Sequence, residues 1–223
     1  MKVTITSPRS VGKTTISKTK SDDKQDKFIE EIFEQSMKEL SDFFGINWTR
    51  NRPAIVILKN RQEINDFNRE KTEDWEVAFA RNNAVYILDR KNFEKESCYK
   101  YSDDEYRKLL KHELTHLYYN LFSKGNHYPK WFEEGLAVFI SGQSKDKKVK
   151  KFTKFLDYFK KGGEHLYSEG GCAVKVLFEK FGKDKLFILI KNISSLKSEV
   201  QFNKKFEDIY GSKPSYDFFN SLI

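Results

Sequence analysis

The residues best suited to chemistry are His112-Glu113-Leu114-Thr115-His116, an H-E-x-x-H pattern. A helix advances about 100° per residue, so positions four apart differ by roughly 40° and one turn of rise. Both imidazoles then lie on one face and can share a metal ion. Glu113 points to the side of that pair, where its carboxylate can take a proton from water at the metal. Two His ligands and a Glu base are the parts of metal-assisted peptide hydrolysis. The pattern demands a helix, a third ligand and an open coordination position. The chain has four His, and two of them stand at ligand spacing around a Glu.

A helix is expected there. Ser102-Asp103-Asp104-Glu105 is a capping box with acidic residues in the first turn. Leu109, Leu110, Leu114, Leu117 and Leu121 supply an apolar side to about Phe122. Gly125 breaks the chain, and Pro129 suits the first turn of a second helix, Lys130 to Ile140. Catalytic zinc usually takes three protein ligands. The metzincin spacing would put a third His at 122, which is Phe122. The remaining candidates are His127 in the intervening loop and Glu133 and Glu134 on the second helix. A carboxylate on a helix is held more firmly than an imidazole on a loop. Gly135 is expected to let its helix approach the active-site helix closely.

His112 to His116, followed by Pro129-Lys130-Trp131-Phe132-Glu133-Glu134-Gly135-Leu136-Ala137, resembles the gluzincin zinc peptidases. The likeness is to the peptidase MA-like group related to aminopeptidase N and leukotriene hydrolase. It implies Zn2+ as cofactor, a peptide or protein substrate, and Glu134 as third ligand, since the Glu before the Gly of W-x-x-E-G-x-A has that role in the family. Glu133 is then expected to face solvent. Tyr167-Ser168-Glu169-Gly170-Gly171 resembles the family's Y-x-K-G-A segment, whose Tyr hydroxyl stabilises the oxyanion. Glu169 stands where relatives often carry Lys. The specific part of the likeness runs from Leu109 to Ser141. The family's G-x-M-E-N segment is missing, so aminopeptidase activity is not implied. Val77 to Asn82 is expected as an edge strand to which an extended substrate can add.

The implied mechanism has zinc activating water, Glu113 as proton acceptor and donor, and zinc with Tyr167 stabilising the oxyanion. An alternative enzyme resembles the SprT-like, DNA-associated proteases, with His127 as third ligand. A non-enzymatic alternative is a zinc-bearing binding module. For either, Lys145 to Lys161 is expected as a basic helix with eight Lys, and Val149, Phe152, Phe155, Leu156 and Phe159 on one face. A solvated helix face explains it without a nucleic-acid partner.

The other elements frame this site. Asp26 to Phe44 has Phe28, Ile32, Phe33, Met37, Leu40, Phe43 and Phe44 at helical spacing, with Gly45 as a stop. Pro53 to Leu58 reads as a buried strand, and Asn60 caps a short helix with Glu63 three residues on. Trp75 to Arg81 and Ala84 to Leu88 read as a hairpin through Asn82-Asn83. Lys91 to Tyr101 is expected as a loop. Ser168 can cap a helix from Glu169 to Phe181, stopped by Gly182; Asp184 to Ile193 is helical, and two short helices flank Gly211 to Pro214. The fold class expected is α+β and zincin-like. Residues 1–25 form an N-terminal strand and basic extension, and 26–223 a two-lobed domain. Its first lobe (26–122) holds a small mixed sheet and the active-site helix, and its second (123–223) is all helical.

Val3 to Thr6 reads as a short strand and Thr14 to Ser17 as a second. Between them Ser7-Pro8-Arg9-Ser10-Val11-Gly12-Lys13-Thr14 is a Walker A pattern lacking its first Gly. Thr15 to Lys27 carries too few apolar positions for the helix a phosphate loop needs. The net charge of +8 is spread among mixed signs and fits solubility. Cys98 and Cys172 have no C-x-x-C partners and are expected as free thiols. No apolar h-region and no run long enough to span a bilayer occur, so a cytoplasmic location is expected.

Overall fold

A computed structural model describes residues 16–17, 23–145 and 148–223. The Walker A pattern and the strand expected at Val3 to Thr6 lie outside these. The described residues form an α+β chain with eight α-helices and one four-stranded mixed sheet. They divide into two compact units, one ending at Leu117 and one running from Tyr118 to Ile223.

The first unit is built on a sheet of order β1-β2-β4-β3. β1 is Ile16–Ser17, β2 Ala54–Leu58, β3 Ala78–Arg81 and β4 Ala84–Leu88. β2 pairs parallel with β1 and β4, while β3 and β4 form an antiparallel hairpin. Asn82 and Asn83 turn it with φ of 51° and 58°, the left-handed pair that a two-residue hairpin requires. β3 is an edge strand, as expected, but starts later than Trp75. Residues 74–75 turn instead, and Arg61 donates to the Asp74 and Glu76 carbonyls. Those acceptors are therefore taken by a side chain and not by a strand.

α1 (Asp23–Phe44) supplies Ile29, Ile32, Phe33, Met37, Leu40 and Phe44 to the core, which Ile55, Val85, Ile87 and Leu88 share. α2 (Arg61–Asn68) is capped by Asn60, whose side chain accepts from Glu63 N at 3.0 Å. The loop expected at Lys91 to Tyr101 contains α3 (Phe93–Glu96), nucleated on the buried Phe93. α4 (Asp103–Ser123) begins as the capping box predicts, with Ser102 Oγ accepting from Glu105 N at 3.1 Å. The Tyr106 hydroxyl donates to the Leu88 carbonyl at 2.9 Å, tying α4 to the end of β4.

The second unit has no strand among its described residues. It contains α5 (Lys130–Ser141), α6 (Glu164–Asn192), α7 (Glu199–Tyr210) and α8 (Tyr216–Asn220). α6 starts earlier than Ser168, which lies inside it. Gly182, with φ of 81°, interrupts the helical path at the expected place before the chain resumes its helix.

The basic helix expected at Lys145 to Lys161 does not form. Residues 148–154 are non-helical, and a single 3-10 turn covers Phe155–Asp157. A helix here would stack Lys147 on Lys151 and Lys150 on Lys154, like charges four apart. Moreover, the donors it would need are taken: the Glu169 carboxylate accepts from the backbone N–H of Thr153 (2.9 Å), Lys154 (2.9 Å) and Phe155 (3.2 Å). Phe152 and Phe155 still bury fully, as their apolar character requires.

Candidate metal centre

His112, Glu113 and His116 ride on α4 well inside its ends, where the backbone is fully hydrogen bonded and their directions are fixed. Leu110, Leu114 and Leu117 are buried along the same helix, and Thr115 is 1% exposed, its hydroxyl donating to the Lys111 carbonyl at 2.7 Å. His112 and Glu113 are buried as well. The two Nε2 atoms of His112 and His116 lie 3.1 Å apart, with ring planes at 70°.

Glu134 is carried by α5. The first backbone donors of that helix are met by a neighbouring segment, with Lys130 N–H bonding the Phe159 carbonyl at 2.9 Å and Trp131 N–H the Tyr158 carbonyl at 3.1 Å. Trp131 is 1% exposed and packs edge-on against Phe132, Phe155, Phe202 and Phe219 at 5.1–5.9 Å. Gly135 does permit a close approach, but to α6 and not to α4. A Cβ at Gly135 would stand 2.5 Å from the Gly170 carbonyl oxygen. Glu134 thus sits between an aromatic anchor and a glycine contact, both of which fix its helix.

His112, His116 and Glu134 each offer a ligand atom, and these atoms all lie within 4.8 Å of one another. Two nitrogens bound to one zinc at about 2.1 Å cannot be farther apart than about 4.2 Å, and the imidazole pair at 3.1 Å meets that bound. Two imidazoles and one carboxylate form a donor set that suits a borderline-soft divalent ion and leaves a fourth position for water. The donor types present suit zinc.

Glu133 was expected at the surface and is instead 3% exposed. It binds His127 Nδ1 at 2.6 Å and Lys130 Nζ at 2.8 Å. The physical reason is pairing, since a carboxylate tolerates burial only with charged or hydrogen-bonding partners. Burial alone would lower the Lys130 pKa, but the Glu133 charge and hydrogen bond outweigh it and the ammonium is held above its usual value. Lys130 is 3.9 Å from Glu134, so Glu133 takes the shorter contact. Tyr119, fully buried nearby, has its phenol pKa pushed well up by burial and then by the Glu133 charge. His127 is engaged by Glu133 and is not a member of the converging group.

Tyr167 lies in the first turn of α6, 38% exposed. Glu169, two residues on, is buried and serves the 153–155 backbone, with the Thr153 hydroxyl adding a fourth bond at 3.0 Å. Burial would raise its pKa, but these donors hold the carboxyl below its ordinary 4.5. Neither the Glu133 pairing nor this role of Glu169 was foreseen. The i, i+3 spacing of Lys130 and Glu133 was the one local signal for the first. Neither Cys98, which is exposed, nor Cys172, which is buried, forms a disulfide among the described residues. No described helix is long and apolar enough to cross a membrane. Neither a protein-family model nor a curated protein matches the chain.

Proposed function

We propose that the protein is a zinc-dependent peptidase of the gluzincin type with a zincin-like arrangement, hydrolysing peptide bonds in a peptide or protein substrate. The observation that carries this is the convergence of His112, His116 and Glu134 within 4.8 Å, on a helix with an H-E-x-x-H pattern and a second with W-x-x-E-G. Zinc held by these three residues would supply Lewis acidity toward water and the scissile carbonyl. Glu113, adjacent to His112 on a rigid helix, accepts the proton of the attacking water and returns it to the leaving amine. Tyr167 presents an exposed phenol in the first turn of α6, suited to donate a hydrogen bond to a developing oxyanion.

Glu113→Gln should keep one zinc per chain and lower kcat at least about 100-fold, the range general-base removal gives. Retained turnover in a zinc-loaded Glu113→Gln protein overturns the mechanism. Metal analysis separates the third ligands. Glu134→Ala should lose zinc on dialysis against a weak chelator, whereas His127→Ala should retain it.

A further inference from the structure

The segment 148–161 holds Lys148, Lys150, Lys151, Lys154, Lys160 and Lys161, and one acidic residue, Asp157. All six lysines are exposed. None makes an ion pair among the described residues, whereas Lys130 nearby is taken by Glu133. Asp157 accepts from the Tyr216 hydroxyl at 2.8 Å. With six lysines and one carboxylate, most of the positive charge is left uncompensated inside the segment.

The segment is also pinned. Glu169 binds its backbone at three successive residues. Asn220 brackets Phe152, accepting from its N–H at 2.7 Å and donating to its carbonyl at 3.1 Å. Its far end, Tyr158 and Phe159, caps the first turn of α5. Glu134 follows Lys130 by four residues, about 6 Å along the helix axis. Beside the cap, Tyr128 is 43% exposed and stacks on Phe159 at 6.2 Å and 16°. A fixed basic strip with an aromatic edge is thus bonded to the helix that carries the candidate ligand.

We infer that this strip is the docking surface for an acidic polypeptide, and that the substrate of the candidate site carries Asp or Glu flanking the scissile bond. The choice of a polypeptide as partner rests on the peptidase reading, but the basic surface itself does not. A polypeptide is favoured over a nucleic acid because the strip is anchored on the Glu134 helix, so its ligand lies where that site's substrate must pass. Uncompensated lysines steer and hold such a partner in a salt-dependent way.

The test uses the full chain carrying Glu113→Gln, so that bound peptide stays intact, with and without Lys160→Glu and Lys161→Glu. Lys160→Gln with Lys161→Gln serves as the milder pair, and a thermal melt confirms that each folds. Fluorescence anisotropy reads a labelled Glu-rich peptide, the same peptide with Lys for Glu, and a single-stranded oligonucleotide of equal charge. The expected result is binding of the acidic peptide alone among the two peptides, weakened about tenfold or more by the charge swap and by added salt. Equal affinity for both peptides, no effect of the swap, or tighter binding of the oligonucleotide overturns the inference, the last in favour of a nucleic-acid surface. A cleavage arm compares acid- and base-flanked versions of one sequence with the native Glu113 protein. Acidic-peptide binding without cleavage of either defeats the peptidase proposal and leaves the surface standing. Equal cleavage with equal binding defeats the surface and leaves the peptidase.

Discussion

The segments 102–123 and 148–161 both set apolar residues three and four apart among charged ones, yet only the first is a helix. In α4 the charges are ordered. Ser102 caps, Asp103, Asp104 and Glu105 follow in the first turn, and Lys108 meets Asp104 at 2.7 Å and Glu105 at 2.8 Å. Each of these complements the helix dipole or a neighbour one turn away. In 148–161 the charge is almost all of one sign, and a single acid, Asp157, stands against six lysines. The backbone donors there go to a distant carboxylate. Apolar spacing thus nominates a helix, and the order of the charges together with competing acceptors decides whether it forms. The consequence is functional. α4 holds its histidines rigid, while the other segment becomes a pinned basic strip.

The sharpest way to break the contrast is to remove the competing acceptor. Glu169→Gln deletes a buried charged partner of three backbone N–H groups and a hydroxyl. Hydrogen bonds to charged groups are worth about 1.5–3 kcal/mol each, although not additively. We expect a loss of about 3 kcal/mol in urea unfolding at pH 7. The pH dependence has a fixed sign. The folded pKa of Glu169 is depressed, so its contribution is fully present above the ordinary carboxylate value and is lost as pH falls through the folded one. The gap between wild type and variant should therefore be constant near neutrality and shrink below about pH 4.5. A gap that persists unchanged at pH 3 would show that shape, and not charge, is what Glu169 provides.

Much of the candidate site was readable because its signals are local. The i, i+4 histidines, the capping box at Ser102 and the Pro129 start all lie within a few residues of what they organise. The Asn82-Asn83 turn is of the same kind. What was not readable depends on partners remote in sequence. Glu169 binds backbone 14 to 16 residues upstream, and nothing in Tyr167-Ser168-Glu169 announces it. Gly135 signals a close approach but not which helix approaches, and its neighbour is Gly170. Glu133 and Glu134 are adjacent and alike, and only the positions of His127 and Lys130 distinguish the buried ion pair from the member of the candidate metal group.

A smaller effect sharpens the other side of the contrast. Ser102→Ala removes the side-chain acceptor for Glu105 N and should cost about 1 kcal/mol, the usual loss for such a cap. The unfolding midpoint should fall with no change in denaturant slope, because only the first turn is affected. A loss under about 0.3 kcal/mol would mean that the buried face of α4 holds the helix without its cap. The histidines lie two to three turns further on, so zinc stoichiometry should be unchanged.

The smallest effect concerns the charges themselves. Lys108→Gln removes the partner of Asp104 and Glu105, leaving two carboxylates in a first turn where the helix dipole already favours them. The hydrogen bonds that Lys108 donates to those carboxylates outweigh burial, which acts the other way, and hold the Lys108 pKa above its ordinary value. Both acids are largely exposed, so water and salt screen most of that attraction. A loss of about 0.3–0.5 kcal/mol at low salt is expected, vanishing by about 0.5 M NaCl. If the loss instead exceeds about 1 kcal/mol and survives salt, paired charge contributes as much to α4 as its cap does. The shortage of such pairs, with Asp157 the lone acid among six lysines, would then explain by itself why 148–161 forms no helix, with Glu169 merely occupying donors already free.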